Sequence, residues 1–325
     1  MKFLFSGRVR FVALLVLAVA AMAALPAAAR PPGTNGKILI NRADNLATGE
    51  EQTFTVDPDG SDFKLLFNNA EAVQWSYDGS RIAVGTDVLG QGVFDFDSSV
   101  FTPLNLDAQY PGLFLGCGVW SPDDTRLACE GLSDSNPDLN GVYTVRASDG
   151  GDLQRVTSDP GGDDCASDYS PSGNRIVFTR QNDTTYALYT VRPDGSDLRQ
   201  ISPAGLNFNF CNGSWSPQGN EIVLSAHQPN FDYHSSIWVI HANGTGLRKI
   251  PVPDCGGLNA DLNGVGCASP SWSPDGQAIL FSRQLGHQPH DIYTVNADGS
   301  GLFNVTNTPN ITEFSADWGT HPLTP

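Results

Sequence analysis

The sequence predicts an all-β protein, a six-bladed β-propeller made of four-stranded antiparallel blades. The first observation behind this fold is a pentapeptide close to Trp-Ser-Pro-Asp-Gly that recurs along the chain. Copies begin at Trp75, Trp120, Tyr169, Trp215 and Trp272, and a decayed sixth begins at Trp318. Successive copies are about 45 to 57 residues apart, which is close to the length of a propeller blade and longer than an ankyrin or leucine-rich repeat.

The second observation is that turn chemistry divides each repeat into four strands. The Pro and Gly of the pentapeptide are turn residues, and a short apolar run such as residues 278–281 follows them. A variable loop leads to an aromatic and β-branched run such as residues 291–295. An Asp-Gly or Asn-Gly pair then marks a hairpin into the last strand. Each repeat therefore predicts one blade.

The third observation concerns the two ends of the repeat region. The N-terminal stretch supplies only three strands, at residues 37–41, 52–56 and 63–67. Residues 313–318 match the aromatic-bearing first strand of the other repeats, so we expect this last strand to pair with residues 37–41 and close the first blade. Closure removes exposed sheet edges. We expect the propeller to span residues 36–319, between a short segment at 30–35 and a tail at 320–325.

The first 29 residues have the order of a secretory signal peptide. Lys2, Arg8 and Arg10 precede an apolar run at residues 11–24, and three alanines end at Ala29, after which we expect cleavage. A membrane anchor is the alternative, but the apolar run is short for a span. We therefore expect a secreted or periplasmic protein without a stable membrane anchor.

The six cysteines, an even number in an exported chain, predict disulfide bonds. Fifteen pairings of six cysteines exist. Two cysteines are equidistant from Asp123 at the centre of their turn, two lie four residues before the aromatic of consecutive blades, and two bracket the long insertion. We therefore expect the pairs Cys117–Cys129, Cys165–Cys211 and Cys255–Cys267. A thiolate metal cluster is the alternative, but no Cys-x-x-Cys occurs.

A family resemblance is carried by residues 292–302, Ile-Tyr-Thr-Val-Asn-Ala-Asp-Gly-Ser-Gly-Leu, which follow Ser-Trp-Ser-Pro-Asp-Gly. This combination resembles TolB-type propeller repeats, and the likeness extends over roughly residues 36 to 319. It implies a six-bladed propeller of the sort found in periplasmic TolB and beside the catalytic domain of prolyl-oligopeptidase-like peptidases. The resemblance is specific for the fold and much less so for the function, because one fold hosts many activities.

The charge balance excludes some partners. The formal net charge is −17 although charged residues make up only 16% of the chain, so Lys and Arg are scarce. Nucleic acids and anionic membranes select basic patches, so we expect neither as a partner. We expect a monomer whose partner is a protein or a glycan.

Common catalytic motifs are absent from the sequence, including Gly-x-Ser-x-Gly, His-Glu-x-x-His and phosphate loops. Histidines suggest another chemistry, because His-Gln-Pro occurs at His227 and at His287 in the same loop of consecutive blades, with His234 and His290 nearby. Such imidazoles can share a metal or act as acid and base. The alternative is that the echo reflects repeat ancestry alone.

An oxygen-rich run at residues 134–141 partly resembles a calcium loop. Asp134, Asn136 and Asp138 alternate as ligands would, but a later bidentate Glu is missing. Asn/Asp/Gly-rich loops are usually turns, which is the competing interpretation. We expect no required cofactor, and a structural Ca²⁺ is the candidate ion for this loop.

The ligand site is predicted on one face of the ring. The short pentapeptide and Asp-Gly turns lie on one face, and the variable loops emerge on the other, where recognition usually occurs. The expected contacts there are Phe231, Tyr233, His234, His287 and His290, with Asp163 and Asp164 at the rim. Other acidic residues flank the strands near the axis and are interpreted either as a cation-binding channel mouth or as solvated groups: Glu71, Asp168, Glu313 and Asp317.

The function predicted from the sequence is that of an exported, non-catalytic binding or protein-interaction module on a TolB-like propeller. The alternative is a polysaccharide lyase or hydrolase with a histidine-containing site on the loop face. A transition metal held by the four loop histidines would favour the enzyme.

Overall fold

The computed structural model describes residues 33–44, 50–86, 90–160, 162–182, 185–203, 207–208, 211–227, 235–256, 266–285, 288–308 and 310–323. These residues form six antiparallel sheets arranged as a ring, a six-bladed β-propeller. One helical turn, Leu106–Gln109, and one 3-10 turn, Pro137–Leu139, are described outside the strands. The predicted fold class is confirmed.

The strands are numbered in chain order and grouped into blades. Blade 6 contains β1 (Ile38–Asp44), β2 (Glu50–Val56) and β3 (Lys64–Asn68). Blade 1 contains β4 (Ala70–Trp75), β5 (Arg81–Thr86), β6 (Gly90–Asp95) and β7 (Val100–Pro103). Blade 2 contains β8 (Phe114–Trp120), β9 (Arg126–Leu132), β10 (Gly141–Arg146) and β11 (Gln154–Arg155). Blade 3 contains β12 (Asp164–Tyr169), β13 (Ile176–Asn182), β14 (Thr185–Val191) and β15 (Arg199–Gln200).

The remaining strands complete the ring. Blade 4 contains β16 (Asn207–Phe208), β17 (Ser214–Trp215), β18 (Glu221–His227), β19 (Ser236–His241) and β20 (Arg248–Lys249). Blade 5 contains β21 (Gly266–Trp272), β22 (Ala278–Gln284), β23 (His290–Asn296) and β24 (Phe303–Asn304). The last strand, β25 (Thr312–Trp318), belongs to blade 6. In blade 4 both β16 and β17 pair with β18, so the inner strand of that blade is interrupted.

The ring closes by pairing its two ends. Strand β25 pairs antiparallel with β1, with Trp318 opposite Ile38 and Ala316 opposite Ile40. The indole N–H of Trp318 donates to the carbonyl of Gly36 at 3.0 Å. The predicted closure is therefore confirmed, and the observed pairing extends beyond the predicted residues at one end, to Thr312 and Ala43.

The recurring serine of the pentapeptide fixes each first turn. Its hydroxyl accepts a hydrogen bond from the backbone N–H five residues later, where the second strand begins, at 2.9 to 3.1 Å in five blades. The glycine that follows adopts a left-handed conformation, as in Gly79 with φ +73°. The motif recurs because each blade needs the same tight turn.

The hydrophobic cores lie between neighbouring blades. One cluster joins Ala83 and Val93 of blade 1 to Trp120 and Leu127 of blade 2. Another joins Val223 of blade 4 to Trp272 and others in blade 5. Because a single blade buries its apolar face only against the next blade, the ring is the unit of stability. In the described part of the chain, no helix reaches the length and apolarity needed to span a bilayer.

The predicted disulfide pairs are all confirmed: Cys117–Cys129, Cys165–Cys211 and Cys255–Cys267. Cys117 and Cys129 lie directly opposite each other in blade 2, with a Cα–Cα distance of 4.0 Å. Cys165 and Cys211 join blades 3 and 4. Three disulfides are typical of a protein that folds in an oxidising compartment.

The disulfide that joins two blades should stabilise the ring more than the disulfide within one blade. The first spans 46 residues and the second 12. Chain entropy predicts that replacing Cys165 and Cys211 by Ser lowers the free energy of unfolding by about 4 kcal/mol, against about 3 kcal/mol for Cys117 and Cys129. Urea unfolding without reductant measures both double variants. A larger loss for the Cys117/Cys129 variant would contradict this prediction.

Candidate functional site

Five of the inner strands carry a β-bulge before the motif aromatic. The pairing register shifts after Ala72 in β4, after Cys117 in β8 and after Ala166 in β12. The same irregularity occurs in β21 and β25. A bulge bends the strand and re-aims the next side chain. In β4, β8, β12 and β21 the residue that follows the bulge directly precedes the motif aromatic, whereas in β25 the bulge lies farther from Trp318, between Glu313 and Ser315.

We call the residues immediately before the motif aromatics the waist residues: Gln74, Val119, Asp168, Ser214, Ser271 and Asp317. Four of them accept a hydrogen bond from the aromatic's backbone N–H in the next blade. The bonds are Trp120 N to Gln74 Oε1 at 3.0 Å, Trp215 N to Asp168 Oδ2 at 2.7 Å, Trp272 N to Ser214 Oγ at 3.4 Å, and Trp75 N to Asp317 Oδ2 at 2.9 Å. The waist therefore ties neighbouring blades together by polar contacts.

Two of the waist residues are acidic and poorly solvated. Burial, together with the nearby Asp317 charge, raises the pKa of Asp168 to about 7 against the lowering effect of the Trp215 N–H. Burial likewise raises the pKa of Asp317 to about 6. Neither carboxylate forms an ion pair with a cationic side chain of the described residues.

A cavity of about 460 Å³ opens on the face that carries the pentapeptide turns, which we call the turn face. Its floor contains Asp168, Asp317 and neutral waist residues. Its walls are formed by aromatic residues and turn prolines: Trp75, Tyr77, Trp215, Trp272, Trp318, Pro171, Pro217 and Pro274. We call this space the turn-face cavity.

A second cavity of about 430 Å³ lies towards the opposite face, which carries the variable loops and is called the loop face. The two cavities share Gln74, Ser214, Ser271 and Asp317, so they meet at the waist. Small residues form much of the second wall, and Glu71, Val73 and Glu130 also line it. Phe114 lies nearby and is 55% exposed. We call this space the loop-face cavity.

A carboxyl pair marks the loop-face cavity. Glu130 shares a hydrogen bond with Asp163, and burial together with this contact and the Asp163 charge raises the pKa of Glu130 to about 9. These contacts therefore favour the protonated form of Glu130. It also lies close to the sulfur atoms of Cys165 and Cys211, but those two cysteines form a disulfide and do not bind a metal.

The predicted rim residues separate in the structure. Asp163 contacts Glu130 beside the loop-face cavity. Asp164 is fully buried, where it bonds Arg180 twice at 2.7 Å and accepts from Thr157 at 2.6 Å. The expectation that Asp164 lies at an accessible rim is therefore wrong, because the strand directs its side chain into the interior, where it forms an ion pair with Arg180. Glu313 is likewise fully buried, and its carboxylate forms an ion pair with the Arg42 guanidinium at 2.9 Å.

The aromatic and imidazole part of the predicted site is only partly described. Phe231, Tyr233, His234 and His287 lie outside the described residues. His290 begins β23, and burial lowers its pKa. It lines neither axial cavity. The role of these five residues in ligand binding stays a prediction.

The candidate calcium residues lie in an exposed loop. Asp134, Asn136 and Asp138 are all exposed around the turn at residues 137–139. Asn140 holds this loop by accepting from Ser133 N at 2.9 Å and by donating to the carbonyl of Gly162. These bonds account for the loop's conformation, and a structural calcium ion there stays a prediction.

The sequence matches the family model described as the TolB beta propeller domain over residues 43–320. The chain belongs to the TolB β-propeller family. An uncharacterized protein of Agrobacterium fabrum is 26% identical over 264 residues, which cover 77% of this chain and 82% of that protein. The Tol-Pal system protein TolB of Anaeromyxobacter dehalogenans is 28% identical over 144 residues, which cover 44% of this chain and 29% of that protein.

Solved structures share the fold of this TolB-family chain. TolB from Acinetobacter baumannii superimposes with a TM-score of 0.66 at 18% identity, covering 87% of this chain and 66% of that chain. A putative TolB from Agrobacterium tumefaciens gives 0.60 at 14% identity, covering 88% and 99%. An oligogalacturonate lyase from Vibrio parahaemolyticus gives 0.53 at 12% identity, covering 82% and 78%. At these identities the likeness shows the fold alone, which enzymes also use.

The sequence did not predict some of the residues that line the two cavities. Glu130 was not predicted, because its partner Asp163 lies in the next blade and no local motif links them. Tyr77 replaces the proline of the pentapeptide, and its hydroxyl reaches the carbonyl of Tyr169 in blade 3 at 2.9 Å. That single departure from the motif was the available signal for Tyr77.

The raised pKa of Asp168 predicts a stability effect that depends on pH. The folded chain binds this proton more tightly than an unfolded Asp of pKa 3.8, so ionisation costs stability as the pH rises from there to about 7. Relative to the wild type, Asp168→Asn should gain up to about 4 kcal/mol of unfolding free energy across that range. Denaturant unfolding at several pH values measures the difference.

Asp298→Asn is the control for this pH series. Bonds from Ser300 lower the pKa of the exposed Asp298, so that variant should lose stability relative to the wild type as the pH rises. A gain for Asp168→Asn that stays the same at every pH would contradict the prediction.

Proposed function

We propose that this chain is an exported, non-catalytic binding module that holds a protein partner at the loop-face opening of its axial channel. The observation that carries the proposal is the loop-face cavity, which combines an opening in a rigid ring with an exposed phenyl ring and carboxyl groups. Binding sites are usually concave and mostly apolar, with a few placed polar groups.

The wall of the loop-face cavity suits a polypeptide. Gly116 lies beside the exposed phenyl ring of Phe114 and the carboxyl group of Glu130, since a Cβ there would be 3.5 Å from the ring and 3.7 Å from Glu130 Oε2. Glycines and other small residues let a partner's backbone approach closely. Val73 and Phe114 are 46% and 55% exposed, so they offer apolar contacts that the ring leaves uncovered. The excess of acidic residues favours a partner segment with basic side chains.

A non-catalytic role is supported by how the channel's polar groups are used. Asp168, Asp317 and Gln74 each accept a backbone N–H from the next blade, which is a structural task. The relative named a Tol-Pal system protein supports a role within a protein assembly. Secretion or a periplasmic location is supported by the three disulfides and by the signal-peptide pattern of the first 29 residues.

Site-specific photo-crosslinking in the source cells tests where the partner binds. A photoreactive phenylalanine at Phe114 should give one discrete protein adduct. Val100 on the outer strand of blade 1 is the matched control, because it is 54% exposed against 55% for Phe114. An adduct of equal yield from position 100, or no adduct from position 114, would contradict a loop-face site.

The loop residues predicted from the sequence allow a complementary test with the captured partner. Alanine at Tyr233, His234, His287 and His290 should abolish binding and leave the melting temperature nearly unchanged. Alanine at Asp59, Asp194 and Asp298, three exposed turn-face residues, should leave binding intact. Loss of binding only in the turn-face set would place the partner on the other face. Metal analysis of the purified protein addresses the lyase or hydrolase alternative, which a stoichiometric transition metal would favour.

A further inference from the structure

The turn-face cavity has a chemistry that partner binding at the loop face does not use. Asp168 and Asp317 lie on its floor, and the residues that line it include neither Lys nor Arg. Asp168 is only 5% exposed, yet it has no cationic partner among the described residues. Buried carboxylates are normally compensated by a cation, because an isolated charge is costly to remove from water.

The structural task of these two positions does not require a charge. Gln74 occupies the same waist position in blade 1, and its neutral amide oxygen accepts the N–H of Trp120 at 3.0 Å. Ser214 accepts the corresponding N–H of Trp272. A neutral side chain therefore suffices to tie two blades together. The carboxylates at positions 168 and 317 bring a negative charge that the fold itself does not need.

Aromatic residues line the walls of the turn-face cavity, among them Trp75, Trp215 and Trp272. Each of these three tryptophans is at most 6% exposed, so only a small part of each ring faces the cavity, and the indole N–H groups are buried out of its reach. Aromatic rings beside carboxylates are the usual surroundings of a bound organic cation.

The size and cover of the cavity limit what it can hold. A volume of about 460 Å³ is within the range of small-molecule sites. Tyr77 bridges from blade 1 to blade 3, and Gly33 is tied to the carbonyl of Pro274 at 2.8 Å, so both narrow the mouth. The narrowed mouth favours a compact compound over a folded protein.

We propose that the turn-face cavity binds a small organic ammonium compound. The ammonium group lies between Asp168 and Asp317, where charge-assisted hydrogen bonds compensate both carboxylates. This site opens on the other face of the ring from the proposed partner site; Asp317 lines both cavities, and Asp168 lines the turn-face cavity alone.

Glucosamine and glucose are a matched pair of probes, because they differ at one position by an ammonium group in place of a hydroxyl. Titration calorimetry at pH 7.5 should show saturable binding of glucosamine that is at least about 10-fold tighter than that of glucose. Equal binding of the two sugars, or no binding of glucosamine, overturns the proposal. This comparison uses the wild-type chain and needs no variant.

Two double variants locate the charge that binds the probe. Asp168→Asn/Asp317→Asn keeps the acceptors of the Trp215 and Trp75 N–H groups and should weaken glucosamine binding by at least about 10-fold. Asp194→Asn/Asp298→Asn removes two charges from exposed turns of the same face and should change it less than about 2-fold. Unchanged binding in the first variant overturns the proposal. So does a titration in which Ca²⁺ binds through Asp168 and Asp317 and glucosamine does not.

Discussion

The hydrogen bond from one blade's aromatic N–H to the waist residue of the preceding blade is the contact on which the rest of the structure depends. This bond joins neighbouring blades at four of the described junctions. At one of them, where the two ends of the chain meet, the Trp75 N–H donates to Asp317. Gln74, Ser214 and Asp317 also line both cavities of the axial channel, so residues that join neighbouring blades also lie where the two cavities meet. Ring stability and site geometry therefore have a common origin.

That common origin explains why charge at the waist is informative. At two waist positions a neutral side chain, Gln74 or Ser214, accepts the backbone N–H of the next blade. Asp168 and Asp317 accept the same kind of bond, but their pKa values are raised and they have no cationic partner among the described residues. Natural chains tolerate such a cost mainly where a site uses it. The acidic pair at the loop face, Glu130 with Asp163, differs in kind, because sharing a proton removes one of its two charges.

The fold was largely predictable because its determinants are local and repeat. The hydroxyl of the motif serine fixes a turn by accepting the backbone N–H five residues later. Cysteine offsets from the motif predicted two of the disulfides, and the long insertion between Cys255 and Cys267 predicted the third. The site was much less predictable, because its contacts join residues distant in sequence. Asp163 and Asp164 are neighbours, yet one meets Glu130 and the other is buried against Arg180, since alternate residues of a strand point to opposite sides. A comparison of the residue before each aromatic across the repeats would have identified the waist.

The most direct test of this account is hydrogen exchange at the backbone amides of Trp75, Trp120 and Trp215. Each amide donates to a waist residue, but only that of Trp75 crosses the seam between the chain's two ends. If the waist bonds hold the ring as one cooperative unit, all three amides exchange only through global unfolding, with the same free energy of opening. A Trp75 amide that exchanges at a much lower free energy than the other two would show that the seam opens by itself, which would contradict the account.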